Sequence, residues 1–331
     1  MPEWLDEIVS EDKLLHCGHA ACAGCAPAIN VRHVLDGLAA AKPGSKIVLV
    51  IPASCWTIIA GVWPTNAFGV AVHLTPFASA AAEASGIKAA LRLRGHEDTQ
   101  VVVWAGDGGT CDIGFSGVSA AAERNEDLIY VLNDNEAYMN TGVQKSGATP
   151  EGAWTTTTPT TAPRRGQKKD IARIMAAHGI PYVATLALGS VPMLRDFRAK
   201  VARSAEVQGF RFLHVLGPCP PGWRYPTSQS TELARLAVES RYFPLLECDH
   251  GAWRITFRPK RPRPVGEFLE AQGRFSHLSP EQVETIQSHV DERWNLLAAL
   301  ESPLREVAGP PSPSTRRPTS ASRGPSDWRA P

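Results

Sequence analysis

Three features are missing from this sequence, and each absence excludes a class of protein. No uninterrupted apolar run reaches the ~18 residues of a membrane-spanning helix, so we expect no membrane segment. The formal net charge is only +1, which provides no overall positive field for binding nucleic acid. The N-terminal stretch MPEWLDEIVSEDK is acidic and lacks the basic and then apolar layout of a signal peptide, which predicts a cytoplasmic protein.

The bulk composition fits an ordinary soluble enzyme. The 331 residues can bury one large core with extensions, and 43% of them are hydrophobic against 20% charged. Seven cysteines are present. Because disulfides are rare in the cytoplasm, we interpret these thiols as candidate metal ligands or catalytic groups rather than as cross-links.

Apolar runs and helical patterns alternate along most of the chain. Continuous apolar runs predict five buried strands, at residues 46–52, 101–104, 128–132, 182–185 and 211–216. The spacing of apolar residues predicts four helices, at residues 29–41, 77–93, 170–178 and 191–208. Residues 1–30 are expected to be an irregular lead-in. The alternation of strands and helices predicts an α/β fold with a doubly wound parallel sheet.

Polar groups follow two of the predicted strands. The strand at 101–104 runs into a GDGG motif that contains Asp107, and the strand at 128–132 ends in Asp134 and Asn135. A GDGG motif by itself is more often a simple turn. Hard oxygen ligands at the carboxyl ends of parallel strands, however, suit Mg²⁺ bound to a diphosphate, and glycines let backbone N–H groups approach phosphate oxygens.

Four cysteines are placed to meet at the same sheet edge. Cys22 and Cys25 form a CxxC motif, Cys55 follows the strand at 46–52, and Cys219 follows the strand at 211–216. Four thiolates hold either a tetrahedral zinc ion or an iron–sulfur cluster. Structural zinc usually uses two tight cysteine pairs, whereas this sequence has one pair and two single cysteines. This pattern favours a cluster.

The string DNEAYMNTGVQ at residues 134–144 carries a resemblance to a known family. Together with the CAGC and PCPPGW segments, it resembles the β subunit of 2-oxoacid:ferredoxin oxidoreductases, of which pyruvate:ferredoxin oxidoreductase (pyruvate synthase) is the type member. The resemblance spans roughly residues 14–280. It implies a thiamine diphosphate-binding fold with a C-terminal helical arm.

The resemblance also implies roles for individual residues. The Mg²⁺ ligands would be Asp107, Asn135 and the carbonyl oxygen of Ala137. Asn140 would face the reacting centre, and Ser54 would lie on the loop that passes the thiazolium, where family members often have glycine. The diphosphate would lie beside Gly106, Gly108, Gly109, Thr141 and Gly142. The proximal 4Fe–4S cluster would be bound by Cys22, Cys25, Cys55 and Cys219.

The implied activity is the oxidative decarboxylation of pyruvate with coenzyme A to acetyl-CoA and CO2, with electrons passing through the 4Fe–4S cluster to ferredoxin or flavodoxin. In the family, a glutamate on another subunit holds the aminopyrimidine ring, so an α subunit is expected to complete the active site. A γ subunit, a ferredoxin-like δ subunit, or both would pass the electrons onward.

Several alternatives remain open at this point. The same chemistry could act on 2-oxoisovalerate, 2-oxoglutarate, an aryl 2-oxoacid or oxalate. A non-redox thiamine enzyme would have no use for four converging cysteines. A zinc-binding scaffold protein would have no need for Asp107 and Asn135 at two strand ends.

Changes in sequence character divide the chain into three predicted parts. Residues 1–258 are predicted to bind the diphosphate half of the cofactor and the iron–sulfur cluster. Residues 259–306 read as a loop and two helices, an arm that packs on a partner subunit. Residues 307–331 form a Pro/Ser/Arg-rich tail that is expected to be disordered.

The remaining titratable residues receive no catalytic role. Cys111 is predicted to be a small buried residue, and Cys17 is a less favoured rival ligand for the cluster. The basic residues beside an extended loop at 155–165 are interpreted as a solvated cluster rather than as a site for coenzyme A phosphates; they are Arg164, Arg165, Lys168 and Lys169. Four isolated histidines are interpreted as satisfied polar or core groups; they are His19, His73, His178 and His214.

Overall fold

The computed structural model describes residues 14–61 and 65–301. In these ranges one eight-stranded sheet has the strand order β2-β1-β3-β4-β6-β5-β7-β8. The strands are β1 (Ile47–Pro52), β2 (Ala71–Thr75), β3 (Gln100–Gly106), β4 (Leu128–Asp134), β5 (Tyr182–Leu186), β6 (Phe210–Leu216), β7 (Leu246–Asp249) and β8 (Ala252–Ile255).

Six of the strands are parallel, as the alternation of elements predicts. Strands β1 to β6 pair in parallel, and the two short strands β7 and β8 extend the β5 side of the sheet in antiparallel orientation. The sequence analysis did not predict β2, β7 or β8. Strand β2 is partly exposed, and β7 and β8 have four residues each, so they lack the continuous apolar run that marks a strand buried on both faces.

Helices cover both faces of the parallel part of the sheet. The helices are α1 (Ala26–Ala41), α2 (Cys55–Ile59), α3 (Ala80–Leu93), α4 (Phe115–Glu123), α5 (Ile171–Ala176), α6 (Val191–Glu206), α7 (Pro220–Trp223), α8 (Ser230–Glu239), α9 (Val265–Glu270) and α10 (Pro280–Leu300). Helices α1 and α6 pack on one face, and α3, α4 and α5 pack on the other. Val102 and Trp104 of β3 point to the first face and Val101 and Val103 to the second, because side chains alternate along a strand.

The helix boundaries differ from the predicted ones mainly at the N-terminal ends. Helix α1 begins at Ala26 and not at residue 29, so part of the expected irregular lead-in is helical. Pro27 sits in the first turn of α1, where its missing N–H has no cost. Helices α2 and α8 were not predicted from the sequence.

The order in which successive strands are placed in the sheet reverses between β1 and β3. From β1 the chain moves outward to β2 at the sheet edge, and it then returns to place β3 on the opposite side of β1. In an open α/β sheet such a switch point leaves a crevice outside the carboxyl ends of the two strands, and ligands bind there.

Helix α10 packs along the domain through one face. Ile286 and Val290 join the cluster around Phe268, and Trp294 and Leu297 pack against strands β7 and β8. A capping box between Ser279 and Gln282 starts the helix. The contact of this arm with a partner subunit stays a prediction, and the predicted tail at 307–331 lies outside the described residues. Among the helices of residues 14–61 and 65–301, none is both long and apolar enough to cross a membrane.

Candidate functional site

The carboxyl ends of four adjacent strands carry the predicted metal and cofactor ligands. Cys55 follows β1, Asp107 follows β3, Asn135 follows β4 and Cys219 follows β6. These strands are direct neighbours in the sheet. Residues that are distant in the sequence are therefore brought to one edge, as the sequence analysis expected.

A cavity opens at this edge, beside the switch point. Of the ten residues predicted to contact the thiamine cofactor or its metal, nine line this cavity: Ser54, Gly106, Asp107, Gly108, Gly109, Asn135, Ala137, Asn140 and Thr141. Gly142, the tenth, has a left-handed φ of 114° and is not among the lining residues. Cys55 also lines the cavity, so it links the cofactor cavity to the cysteine set.

Asp107 is a buried acid whose charge is not balanced. Its side chain accepts a hydrogen bond from the hydroxyl of Ser146, and the residue is only 1% exposed. Burial, together with the negative charge of Asp134, raises the pKa of Asp107 well above its ordinary value. A divalent cation beside Asp107 would supply the missing positive charge. The electrostatics therefore fit a metal ligand.

The Asn135 amide and the Ala137 carbonyl oxygen face the same point as Asp107. One terminal atom of the Asn135 amide lies 3.0 Å from Asp107 Oδ1 and 2.8 Å from the carbonyl oxygen of Ala137. With nitrogen in this position the amide donates to both oxygens. With oxygen in this position three oxygens converge, at spacings close to the ~2.9 Å edge of an octahedron with Mg–O bonds of about 2.1 Å. The donor set therefore fits Mg²⁺.

Gly106 and Gly108 of the GDGG motif lack a side chain for two different reasons. A Cβ at Gly106 would meet no atom within 4 Å, which leaves open space for a ligand. A Cβ at Gly108 would collide with the ring of Tyr138. That ring stacks on Phe77 at 5.7 Å between ring centroids, and its hydroxyl donates to Asp112 Oδ2 over 3.1 Å. Tyr138 and Phe77 also line the cavity, and the sequence analysis assigned no role to either.

Ser54 has a local structural role at the start of α2. Its Oγ accepts a hydrogen bond from the backbone N–H of Trp56 over 3.2 Å, and its carbonyl accepts from Thr57 Oγ1 over 2.7 Å. A serine at this N-cap position satisfies a backbone donor of the helix. The cap fixes the first turn of α2, which begins with Cys55.

The four predicted cluster ligands lie close enough for neighbouring thiols to shift one another's pKa. Burial, with contributions from neighbouring thiols, raises the pKa of Cys25 to about 11 and that of Cys219 to about 12, and it also raises the pKa of Cys55. Cys22 contributes to each of these shifts and is exposed. Raised values keep the thiols protonated until a metal displaces the protons.

Backbone groups lie near two of these thiols. Those of Ala28 and Gly222 lower the pKa of Cys25 and of Cys219, respectively, and so partly offset burial. Four cysteine thiolates are the ligand type of an iron–sulfur cluster. Within residues 14–61 and 65–301, no group of three or more Cys, His, Asp or Glu side chains has the arrangement that holds a metal ion.

The other cysteines lie apart from this set or in the core. Cys111 is fully buried against the core, as predicted, and Cys248 is buried on β7. Cys17 is exposed. Two of the histidines are satisfied polar groups, as predicted. His214 Nε2 lies 2.7 Å from Asp134 Oδ2, and His178 Nε2 lies 2.8 Å from Ser119 Oγ.

Glu136 is a functional candidate that the sequence analysis missed. This fully buried acid lies between Asn135 and Ala137 and has a left-handed φ of 64°. Its carboxylate accepts from Lys168 Nζ over 2.5 Å, from Arg274 Nη2 over 2.5 Å and from the Tyr242 hydroxyl over 3.0 Å. The only signal in the sequence was a third acidic or amide residue directly after Asp134 and Asn135.

The predicted solvated basic cluster is wrong for Lys168. Its side chain is only 11% exposed because it pairs with Glu136 in the interior. Arg164 is half-buried and donates to the carbonyl of Ser146 over 2.8 Å. Lys169 is 44% exposed and lies 3.4 Å from Asp112. The basic residues therefore support the backbone around the cavity, and the local charge run gave no sign of these distant partners.

Comparisons with known proteins agree with this geometry. Residues 57–215 match the family model described as thiamine pyrophosphate enzyme, C-terminal TPP binding domain. The chain is 44% identical to ketoisovalerate oxidoreductase subunit VorB of Pyrococcus furiosus, over 86% of this chain and 92% of that protein. It is 43% identical to pyruvate synthase subunit PorB of Methanocaldococcus jannaschii, over 85% of this chain and 95% of that protein.

A solved structure shares the fold. The 2-oxoglutarate:ferredoxin oxidoreductase from Magnetococcus marinus, solved with 2-oxoglutarate, coenzyme A and succinyl-CoA bound, superposes with a TM-score of 0.54 at 19% identity. The match covers 88% of this chain and 96% of that chain. The predicted thiamine diphosphate-binding α/β fold is confirmed. With relatives above 40% identity along most of its length, the chain belongs to the family of 2-oxoacid:ferredoxin oxidoreductase β subunits that includes PorB and VorB.

Proposed function

We propose that this chain is the β subunit of a cytoplasmic pyruvate:ferredoxin oxidoreductase that binds Mg²⁺, thiamine diphosphate and one 4Fe–4S cluster. The observation that carries the proposal is the cavity at the β1/β3 switch point. Its wall includes the three oxygen donors of Asp107, Asn135 and Ala137, and it also includes Cys55 of the cysteine set. One edge of the sheet would therefore hold both the thiamine cofactor and the electron acceptor.

The chain's own residues would bind and orient the cofactor. Asp107, Asn135 and the Ala137 carbonyl would hold Mg²⁺, while Ser146 keeps the carboxylate of Asp107 in place. The open space at Gly106 would accommodate the diphosphate. When bound, thiamine diphosphate supplies the carbon nucleophile and electron sink for decarboxylation.

A second set of residues would serve the reaction itself. The Asn140 amide would donate a hydrogen bond at the reacting centre, and it lines the cavity where such a group is needed. Cys22, Cys25, Cys55 and Cys219 would hold the cluster at the adjoining strand ends. The short path through Cys55 favours transfer of electrons from the cofactor cavity to the cluster.

The active site would be completed by other subunits. An α subunit would supply the glutamate for the aminopyrimidine ring, and a γ or ferredoxin-like δ subunit would connect the cluster to ferredoxin or flavodoxin. Coenzyme A would accept the acyl group. We expect the isolated chain to be inactive, so turnover by the pure chain alone would contradict this part of the proposal.

The substrate assignment has a second candidate. Pyruvate is favoured by the DNEAYMNTG string and is the substrate named for the PorB relative. The VorB relative, named for ketoisovalerate, is equally similar at 44% identity. 2-Oxoisovalerate is therefore the competing substrate.

The test is anaerobic purification of the chain with its α partner, followed by iron, sulfide and zinc analysis and EPR spectroscopy. We expect about four irons per chain and a reduced-cluster EPR signal with dithionite. Pyruvate with coenzyme A should produce the same signal. Zinc without iron would contradict the oxidoreductase assignment. A cluster that 2-oxoisovalerate reduces and pyruvate does not would change the assigned substrate and leave the assigned reaction type unchanged.

A further inference from the structure

Three consecutive residues after β4 alternate between two sides of the sheet edge. Asn135 and Ala137 line the cofactor cavity, but Glu136 between them does not. Its left-handed φ of 64° is uncommon for a residue with a side chain and is worth an explanation. This conformation directs the Glu136 carboxylate away from the cavity while both neighbours face it.

The Glu136 carboxylate is anchored more heavily than a stabilising role requires. Two cations and one hydroxyl bind it, from Lys168, Arg274 and Tyr242. The Glu136 side chain is fully buried among these partners. In many proteins apolar residues replace a buried ion pair without loss of stability. Stability alone therefore does not explain why a charged residue stands at position 136.

The backbone on both sides of Glu136 is fixed as well. Its N–H donates to Asp134 Oδ1 over 2.9 Å, and its carbonyl accepts from Thr149 Oγ1 over 2.7 Å. The carbonyl of Asn135 accepts from Trp223 Nε1 over 2.8 Å. Trp223 in turn stacks under the guanidinium of Arg274 at 4.0 Å. The backbone of Asn135 and the side chain of Glu136 are thus held through a shared pair, Trp223 and Arg274.

We propose that Glu136 is a positioning residue for the metal site. Its carboxylate, held by Lys168 and Arg274, keeps the backbone in the left-handed turn that points the Asn135 amide and the Ala137 carbonyl at one cation beside Asp107. Glu136 does not ligate the metal. The inference rests on the proposed function, because it concerns how this chain holds Mg²⁺ and thiamine diphosphate.

The test is Glu136→Gln in the purified heteromer, compared with wild type. Glutamine keeps the shape and loses the charge that holds Lys168 and Arg274. The heteromer is first stripped of cofactor and metal, and thiamine diphosphate is then added to saturation. Calorimetric titration with Mg²⁺ should give a Kd for Glu136→Gln about 10- to 100-fold weaker than for wild type, as for other groups that orient metal ligands. At saturating Mg²⁺, kcat should stay within about threefold, and Lys168→Arg should keep an affinity near that of wild type.

Asp127→Asn is the matched control. Asp127 is also held by a lysine and an arginine, Lys88 and Arg211, but it lies at the opposite end of β4. It should leave the Kd for Mg²⁺ unchanged. A Glu136→Gln heteromer with the wild-type Kd, or equal weakening in both variants, would overturn the proposal and leave Glu136 a structural residue.

A second variant covers the case in which Glu136→Gln fails to fold. Tyr242→Phe removes one neutral hydrogen bond from Glu136 and keeps both ion pairs, and we expect a Kd about three- to tenfold weaker. An unchanged Kd in a folded Tyr242→Phe heteromer would then overturn the proposal. If wild type itself binds no Mg²⁺ and thiamine diphosphate, the proposed function fails first, and that outcome is distinct because it does not depend on any variant.

Discussion

Each end of strand β4 carries an acid paired with a lysine and an arginine, and the two acids differ in burial and in what adjoins them: Asp127 is 22% exposed and also lies 3.8 Å from Arg92, whereas Glu136 is fully buried. At the amino end Asp127 lies 2.9 Å from Lys88 Nζ and also pairs with Arg211. At the carboxyl end Glu136 pairs with Lys168 and Arg274. The next residue after Asp127 is Leu128 of the core, whereas Glu136 is flanked by two candidate metal ligands. Similar ion clusters thus lie beside the core at one end and beside the candidate metal ligands at the other.

The acids at the two sheet edges also differ in how well their charges are balanced. Burial raises the pKa of Asp127, but Arg211 and Lys88 outweigh it, and the net shift is downward. The pKa of Asp107 is shifted upward by burial and by Asp134, with no cation in direct contact among the described residues. A buried acid without a compensating partner is typical of a functional site. This difference in charge balance distinguishes Asp127 at the amino edge, the structural edge, from Asp107 at the carboxyl edge, the cofactor edge. Glu136 at the cofactor edge is balanced by Lys168 and Arg274.

The largest effect is expected from Asp107→Asn. Removing the carboxylate of the proposed metal ligand should lower the activity of the heteromer by ~10³-fold, since a bound cation contributes several kcal/mol and each 1.4 kcal/mol is tenfold. The assay is reduction of the electron acceptor at saturating Mg²⁺ and thiamine diphosphate. Activity within tenfold of wild type would show that Asp107 does not ligate the metal.

In the cofactor-free protein we expect the same variant to raise stability. An acid with a raised folded pKa takes up a proton on folding, so wild type gains stability as the pH falls between the raised folded pKa of Asp107 and its unfolded value of about 3.9. Asp107→Asn removes this gain. We therefore expect a higher Tm than wild type at pH 7 and a smaller difference at pH 5, measured without metal.

The next effect concerns the partly buried Cys219 and the buried Cys248. Cys219→Ser should lose the EPR signal of the 4Fe–4S cluster and most of the bound iron, because one of four thiolate ligands is removed. Cys248→Ser is the matched control. It changes a buried cysteine on β7, outside the four-cysteine set, and should keep about four irons per chain. Loss of iron in both variants would mean that iron depends on core packing and not on Cys219 as a ligand.

Asp127→Asn tests the structural edge through stability. Leaving Lys88 and Arg211 without their carboxylate should lower the free energy of unfolding by roughly 3 kcal/mol, measured by denaturant titration. An acid with a lowered folded pKa stabilises above its unfolded pKa of about 3.9 and loses this contribution as the pH falls through the folded value. The destabilisation should therefore shrink in acid. A large loss of activity in the folded Asp127→Asn variant would mean that the amino edge of the sheet also serves the reaction.

Much of the fold follows from local patterns in the sequence. The predicted central strands are continuous apolar runs because both of their faces are buried, and β3 and β4 illustrate this. The rule that parallel strands end at one edge then brought Asp107 and Asn135 together. Short or exposed strands such as β7 and β2 have no such run, so they were missed.

The anchoring of Glu136 could not be predicted from the sequence. Its partners Lys168 and Arg274 are 32 and 138 residues away, and neither shows a local pattern that points to Glu136. A charge run beside a loop is usually solvated, and Lys168 departs from that rule only because of an acid at the end of a distant strand. Long-range pairing of this kind becomes visible only when the sheet has been assembled.

The smallest expected effect separates the two edges through a single hydroxyl. Ser146 is fully buried and donates to the Asp107 carboxylate, and Ser204 is fully buried near the amino edge, where its hydroxyl donates to the carbonyl of Val201. A hydrogen bond to a charged group contributes about 1.5 kcal/mol, so Ser146→Ala should weaken the Kd for Mg²⁺ and thiamine diphosphate about tenfold. Ser204→Ala should lower stability by about 1 kcal/mol with no change in this Kd. Equal Kd values for the two variants would mean that Ser146 supports the fold alone, and the ordering of Asp107 would then depend on the metal itself.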